Sequence, residues 1–157
     1  MITAVDTNIL LDILIEDAKH FKDSKNLVDM YLAKGQLIIS EVVYAELACQ
    51  FDTESELREF LSSTSIKLVN SSEKALALSG EKWKVYSRKR KRELQCSECG
   101  KFVMVRCEVC NSIITSKQRI IGDFIIGAHA QVHAELLLSR DRGFYRTYFK
   151  ELNVLFK

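Results

Sequence analysis

Short bursts of apolar residues alternate along this chain with longer stretches whose apolar positions recur every three or four residues. The first burst, "ITAV" at 2–5, is rich in β-branched residues and ends at Asp6, which predicts a buried strand. "DTNILLDILI" then turns helical, with Asp6 or Thr7 placed to cap it. "SKNLVDMYLAKG" has helical spacing at Leu27, Met30 and Tyr31 and stops at Gly35, a residue suited to a helix end. "QLIIS" predicts a second strand, "EVVYAELACQF" a helix, "TESELREFLSS" an amphipathic helix and "SIKLV" a third strand. One long helix is expected over "SSEKALALSGEKWKVYSRKRKREL", weakened at Gly80. Past a cysteine-bearing segment, "DFIIGAHAQVHA" reads as helix, "ELLLS" as strand, "DRGFYRTYF" as helix and "LNVLF" as a last strand. Strands alternating with helices predict an α/β chain in three layers, a central parallel sheet wrapped on both faces.

Composition narrows this picture. A chain of 157 residues normally makes one domain, so 1–157 is read as a single unit with 94–114 inserted in it. Apolar residues at 47% and charged residues at 28% describe a soluble globular protein. The early apolar run "NILLDILI" is broken by Asp12 and has no basic segment before it, so neither a signal peptide nor a membrane span is expected. The expected location is the cytoplasm, where cysteines stay reduced and paired cysteines suggest metal before disulfide.

The acids carry the candidate chemistry. In an open parallel sheet, ligands bind just beyond the carboxyl ends of the strands. Asp6 follows the first strand, Asp141 follows "ELLLS" closely, and Asp123 begins the helix that runs back before "ELLLS". Glu46 lies six residues past Ser40, roughly 9 Å along its helix. Four carboxylates far apart in sequence are thus expected on one rim. Singly, each Asp is explained as a helix N-cap and Glu46 as a solvated helix residue. Together they repel unless a cation neutralises them, and hard oxygen ligands suit Mg²⁺ or Mn²⁺. No glycine-rich phosphate loop or dinucleotide fingerprint is present.

"VDTNILLD", "SEVVYAEL", "GDFIIGAHA" and "SRDRGF" resemble, in order, the four signatures of PIN-domain nucleases. The resemblance spans the chain except for the cysteine segment, and lacks only the usual proline before the third acid. It implies the PIN fold and places Asp6, Glu46, Asp123 and Asp141 on the positions that bind Mg²⁺ or Mn²⁺. Asn8 matches the polar residue after the first acid, Ser139 the hydroxyl residue two before the last, and Phe144 the aromatic after it. Asn8 and Ser139 are expected to orient water or carboxylate beside the metal.

The inserted segment has its own chemistry. Cys96 with Cys99 and Cys107 with Cys110 form two Cys-x-x-Cys pairs, the four-thiolate set of a structural Zn²⁺. Redox-active pairs and plain reduced thiols are the alternatives. Gly100 and Asn111 stand where a positive φ is often needed, and "GKFVMVR" is long enough for a tight hairpin between the two pairs. Just before lie Lys82, Lys84, Arg88, Lys89, Arg90, Lys91 and Arg92 with no acid among them, so the rest of the chain is net acidic although the whole carries +2. Such a strip is either a solvated helix end or a place to grip RNA phosphates, with Trp83 and Tyr86 facing bases or the core. His129 and His133, four apart, read as packing or surface residues, and Cys49 as an ordinary buried thiol.

The expected activity is metal-dependent endoribonuclease cleavage, with Asp6, Glu46, Asp123, Asp141, Asn8 and Ser139 as its residues. By resemblance, two settings fit. One is a VapC-type toxin that cuts tRNA or rRNA, forms a homodimer and is silenced by a small antitoxin; the other is a PIN and zinc-ribbon endonuclease that matures rRNA. The toxin setting is preferred on size. A non-catalytic RNA-binding PIN protein is the alternative of another class. A haloacid-dehalogenase-like phosphatase is set aside, because that chemistry wants Asp-x-Asp and Asp6 is followed by Thr7 and Asn8.

Overall fold

The structure is a computed structural model and describes residues 1–15, 19–89, 94–95, 102–114 and 120–155. Strand β1 (Ile2–Val5) leads into α1 (Thr7–Leu14) and α2 (Phe21–Leu32), then β2 (Gln36–Ile39). Next come α3 (Glu41–Ala48), α4 (Glu54–Ser63), β3 (Ile66–Leu68) and the long α5 (Glu73–Lys89). Four two-residue strands follow: β4 (Leu94–Gln95), β5 (Phe102–Val103), β6 (Val105–Arg106) and β7 (Ile113–Ile114). Helix α6 (Ile121–His133), β8 (Leu136–Leu138), α7 (Arg142–Tyr148) and β9 (Val154–Leu155) complete the described chain.

Five strands pair in the order β3-β2-β1-β8-β9, all parallel. This is the expected three-layer α/β arrangement. The chain builds outward from β1 to β2 and β3, then returns to β1's other side for β8 and β9. Right-handed crossovers therefore carry the helices before β3 and those after it to opposite faces. Buried strands need apolar residues on both sides, and Ala4, Val5, Leu37, Ile38, Ile39, Leu137 and Leu138 are all buried. Local signals agree with the elements: Thr53 and Glu56 form a reciprocal capping box at the start of α4. Gly35, at φ +157°, lets the turn into β2 pass so close to Met1 that a Cβ would meet its carbonyl oxygen at 2.1 Å.

Three expectations change. The long helix was expected to reach Leu94, but that residue is in β4. The cysteine segment does not fold as one hairpin between the two pairs. Instead β4 pairs with β5 and β6 with β7, both antiparallel, and Cys107 and Cys110 fall in the β6–β7 connection. Cys49 is exposed, because it lies on the face of α3 opposite the buried Val43 and Leu47.

Candidate active site

The strand order reverses beside β1, and a crevice opens outside the carboxyl ends of adjacent strands at such a point. Val5 is in register with Leu138, so the next residues, Asp6 and Ser139, emerge side by side from positions 133 residues apart. The Asp6 N–H bonds the Leu138 carbonyl at 3.0 Å and holds the two strand ends together.

Asp6 occupies the N-cap position of α1 yet makes no side-chain capping bond. Its carboxylate turns to the crevice instead. Oδ2 accepts from Ser139 Oγ at 2.6 Å, Asn8 Nδ2 at 2.6 Å and Tyr145 Oη at 3.3 Å. Asn8 Nδ2 also reaches Ser139 Oγ at 3.3 Å, and its Oδ1 accepts the Arg140 N–H at 3.0 Å. Three donors on one oxygen favour the charged form, but burial outweighs them. With Asp6 only 6% exposed and Glu46 nearby, its pKa rises to about 6. Burial pushes the Tyr145 hydroxyl well above its usual range, so it stays a donor.

Asp6, Glu46, Asp123 and Asp141 all line one cleft of about 390 Å³, with Thr7, Asn8, Leu11, Arg140 and Tyr145. Three of these acids also spend an oxygen locally. Thr7 Oγ1 donates to Glu46 Oε2. Asp123 Oδ2 accepts the Ile120 N–H at 3.0 Å, and Asp141 Oδ1 accepts the Phe144 N–H at 3.2 Å as the N-cap of α7. So the N-cap explanation holds for Asp141 and fails for Asp6, while Asp123 sits at the third position of α6 and reaches back to the N–H of its N-cap, Ile120. As they stand, no three His, Cys, Asp or Glu side chains among the described residues close around one point as a metal cage. The donor set still fits a hard divalent ion. It is all oxygen, and Asp6 carries a buried charge with no cationic partner among the described residues.

Four residues of the cleft were not picked out as site residues from the sequence: the apolar Leu11, and the polar Thr7, Arg140 and Tyr145. Thr7 and Arg140 had a usable signal, since each adjoins a motif acid in "DTN" and "SRD". Tyr145 had none, because its position depends on the face α7 turns to the sheet.

The basic strip is partly described. Lys84 and Arg88 are exposed on α5, Lys82 is half-buried, and Lys89 is the last described residue of the helix; Arg90, Lys91 and Arg92 lie outside the described residues. Trp83 and Tyr86 face inward. Their rings lie 5.3 and 5.5 Å from that of Phe124, and Tyr86 is 5.8 Å from Tyr148. Phe124 follows Asp123, so these contacts run the cationic end of α5 alongside the helix start that bears Asp123. In the second cysteine pair, Asn111 adopts φ +56° and its N–H bonds the Cys107 carbonyl at 2.8 Å. Ser112, 3.0 Å from Cys110 Sγ, holds that thiol below its usual pKa. Cys96, Cys99 and Gly100 lie outside the described residues. His129 and His133 bond the Val69 carbonyl and the Ser72 N–H, tying α6 to the β3–α5 connection; both are packing residues.

Two solved structures share this fold across nearly their whole length. One is VapBC2 from Rickettsia felis bound to a DNA fragment from its promoter, at 18% identity and TM-score 0.61, covering 99% of this chain and 98% of that one. The other is VapBC-1 from nontypeable Haemophilus influenzae, at 15% identity and TM-score 0.61, covering 99% and 97%. No curated protein matches the sequence at a significant level. The PIN domain family model matches residues 3–150, nearly the full length. The chain belongs to the PIN-domain family, a family of nucleases.

Proposed function

We propose that this protein is a divalent-metal-dependent endoribonuclease, acting as the toxin of a VapC-type toxin–antitoxin pair. The observation that carries the reading is the buried, hydrogen-bonded Asp6 at the junction of β1 and β8, in a cleft shared with Glu46, Asp123 and Asp141. Those four acids would hold Mg²⁺ or Mn²⁺. Once bound, the ion supplies a water of lowered pKa and neutralises charge on the phosphate. The chain supplies orientation: Ser139, Asn8 and Tyr145 fix the Asp6 carboxylate, and Thr7 fixes Glu46. Lys84 and Arg88, with Lys82, Lys89, Arg90, Lys91 and Arg92, would draw the RNA backbone toward the Asp123 side of the cleft. The partner is a small antitoxin protein, a reading supported by the VapBC complexes that share the fold. By family resemblance the chain acts as a homodimer on tRNA or rRNA.

Residues 94–114 are proposed as an accessory element stapled by Zn²⁺ on Cys96, Cys99, Cys107 and Cys110. The antiparallel β6–β7 pair, with Cys107 and Cys110 in its connection, supports it, as does the β4–β5 pair that flanks Cys96 and Cys99 in sequence. They also favour a second reading, a PIN and zinc-ribbon endonuclease that matures rRNA. Incubating the purified protein with total cellular RNA, with and without Mn²⁺, and mapping the new ends tests the activity and separates the targets. Ends confined to tRNA or mature rRNA fit the toxin, and ends at precursor boundaries fit maturation. An undigested pool in Mn²⁺ refutes both.

A further inference from the structure

We propose that Arg140 is a substrate contact of the cleft, gripping a phosphate oxygen of the bound strand, and that Asp12 positions it. The inference rests on the nuclease reading for the identity of the strand. Arg140 is the one cation among the described residues that line the cleft with the four acids. Its guanidinium is held from beneath. Nη2 pairs with Asp12 Oδ1 at 3.0 Å and approaches the Asn8 carbonyl at 3.5 Å. Asp12 is only 3% exposed, and its other oxygen accepts the buried Ser24 hydroxyl at 2.6 Å. The Arg140 backbone is fixed as well, by the bond from its N–H to Asn8 Oδ1.

An arginine has five N–H donors in a rigid planar fork. The contacts among the described residues use only Nη2, which leaves Nε and Nη1 free on a side chain that is 35% exposed. Were neutralising Asp12 its whole task, the pair could lie anywhere along α1. Instead it borders the cleft, next to Asp141 and bonded to the Asn8 that holds Asp6. A planar donor fork with spare N–H groups at a fixed place matches the oxygens of a phosphodiester. Four acids alone would repel that strand, and a cation anchored among them gives one phosphate a defined seat.

The test measures binding of a fluorescent, unstructured RNA oligonucleotide by anisotropy across a salt series. It uses Asp6→Asn protein with Mg²⁺ present, so that the strand stays whole. Adding Arg140→Ala is expected to weaken binding about tenfold and flatten the plot of log affinity against log salt by about 0.7. Arg140→Lys should recover the slope and only part of the affinity, because the fork is lost and the charge kept. Should Arg140→Ala fold poorly through the buried Asp12 charge, Asp12→Asn with Arg140→Ala removes both charges and should bind as weakly. Unchanged affinity and slope in a folded variant, or no RNA binding at all, overturns the proposal. Failure of the nuclease reading would show separately, in the Mn²⁺ digest of wild-type protein.

Discussion

Asp6 holds an oddity that only its cleft explains: a carboxylate at a helix start that declines to cap the helix. Its raised pKa has a consequence for stability. The folded state binds the proton more tightly than the unfolded chain, so stability due to this group falls as pH rises from about 4 to about 6. Above that range the buried charge costs about 3 kcal/mol, taking about 1.4 kcal/mol per pKa unit. Asp6→Asn removes that cost, and an amide oxygen can accept the same donors. Metal-free Asp6→Asn protein should therefore melt higher than wild type at pH 7.5, with the gap closing near pH 4. Cleavage by the same variant should fall at least a hundredfold. Equal melting at both pH values would mean the carboxylate is better solvated than its surroundings allow. Ser139→Ala, which takes away the donor at 2.6 Å, should lower cleavage about tenfold and stability by about 1 kcal/mol.

At the scale of elements, α6 lies so tightly against the end of α7 that a Cβ at Gly127 would meet the Phe149 ring at 2.5 Å. Gly127→Ala should therefore destabilise by about 1–3 kcal/mol in a denaturant melt, despite alanine's better helix propensity. Trp83→Ala should cost about 2–3 kcal/mol by opening the cluster around Phe124, and leave RNA affinity unchanged. Loss of RNA affinity without loss of stability would restore Trp83 as a base-stacking residue. These elements differ in how openly the sequence declared them. "ITAV", "QLIIS" and "ELLLS" are short apolar runs closed by Asp or Ser, and a sheet buried on both faces leaves little other use for them. The end of α5 was hidden, because Arg and Lys are good helix formers and no glycine or proline breaks "RKRKREL". The two hairpins were hidden too, since a two-residue strand has no period to detect. In the cleft, strand-terminal acids could be read from their place after apolar runs. Tyr145 and the Arg140–Asp12 pair could not, because packing alone decides which face of a helix meets which loop.

Along the whole chain, the seven cations at 82–92 are followed by four of the five cysteines, and the rest of the chain is net acidic. Lys84→Ala with Arg88→Ala should flatten the salt dependence of RNA binding by about 1.4, at about 0.7 for each phosphate left without its cation. An unchanged slope would return the strip to a solvated helix end. Metal analysis of freshly purified protein should find zinc at one ion per chain, absent in Cys107→Ser, with the parallel sheet still folded. The claim on which the account turns is that side chains from the β1–α1 junction, α3, α6 and the β8–α7 junction together hold a hard divalent ion. Anomalous diffraction from crystals soaked in Mn²⁺ tests it most directly. The account predicts a peak in the cleft at about 2.1–2.3 Å from carboxylate oxygens of Asp6 and at least two of Glu46, Asp123 and Asp141. A cleft without a peak, or Mn²⁺ bound only elsewhere, would contradict it.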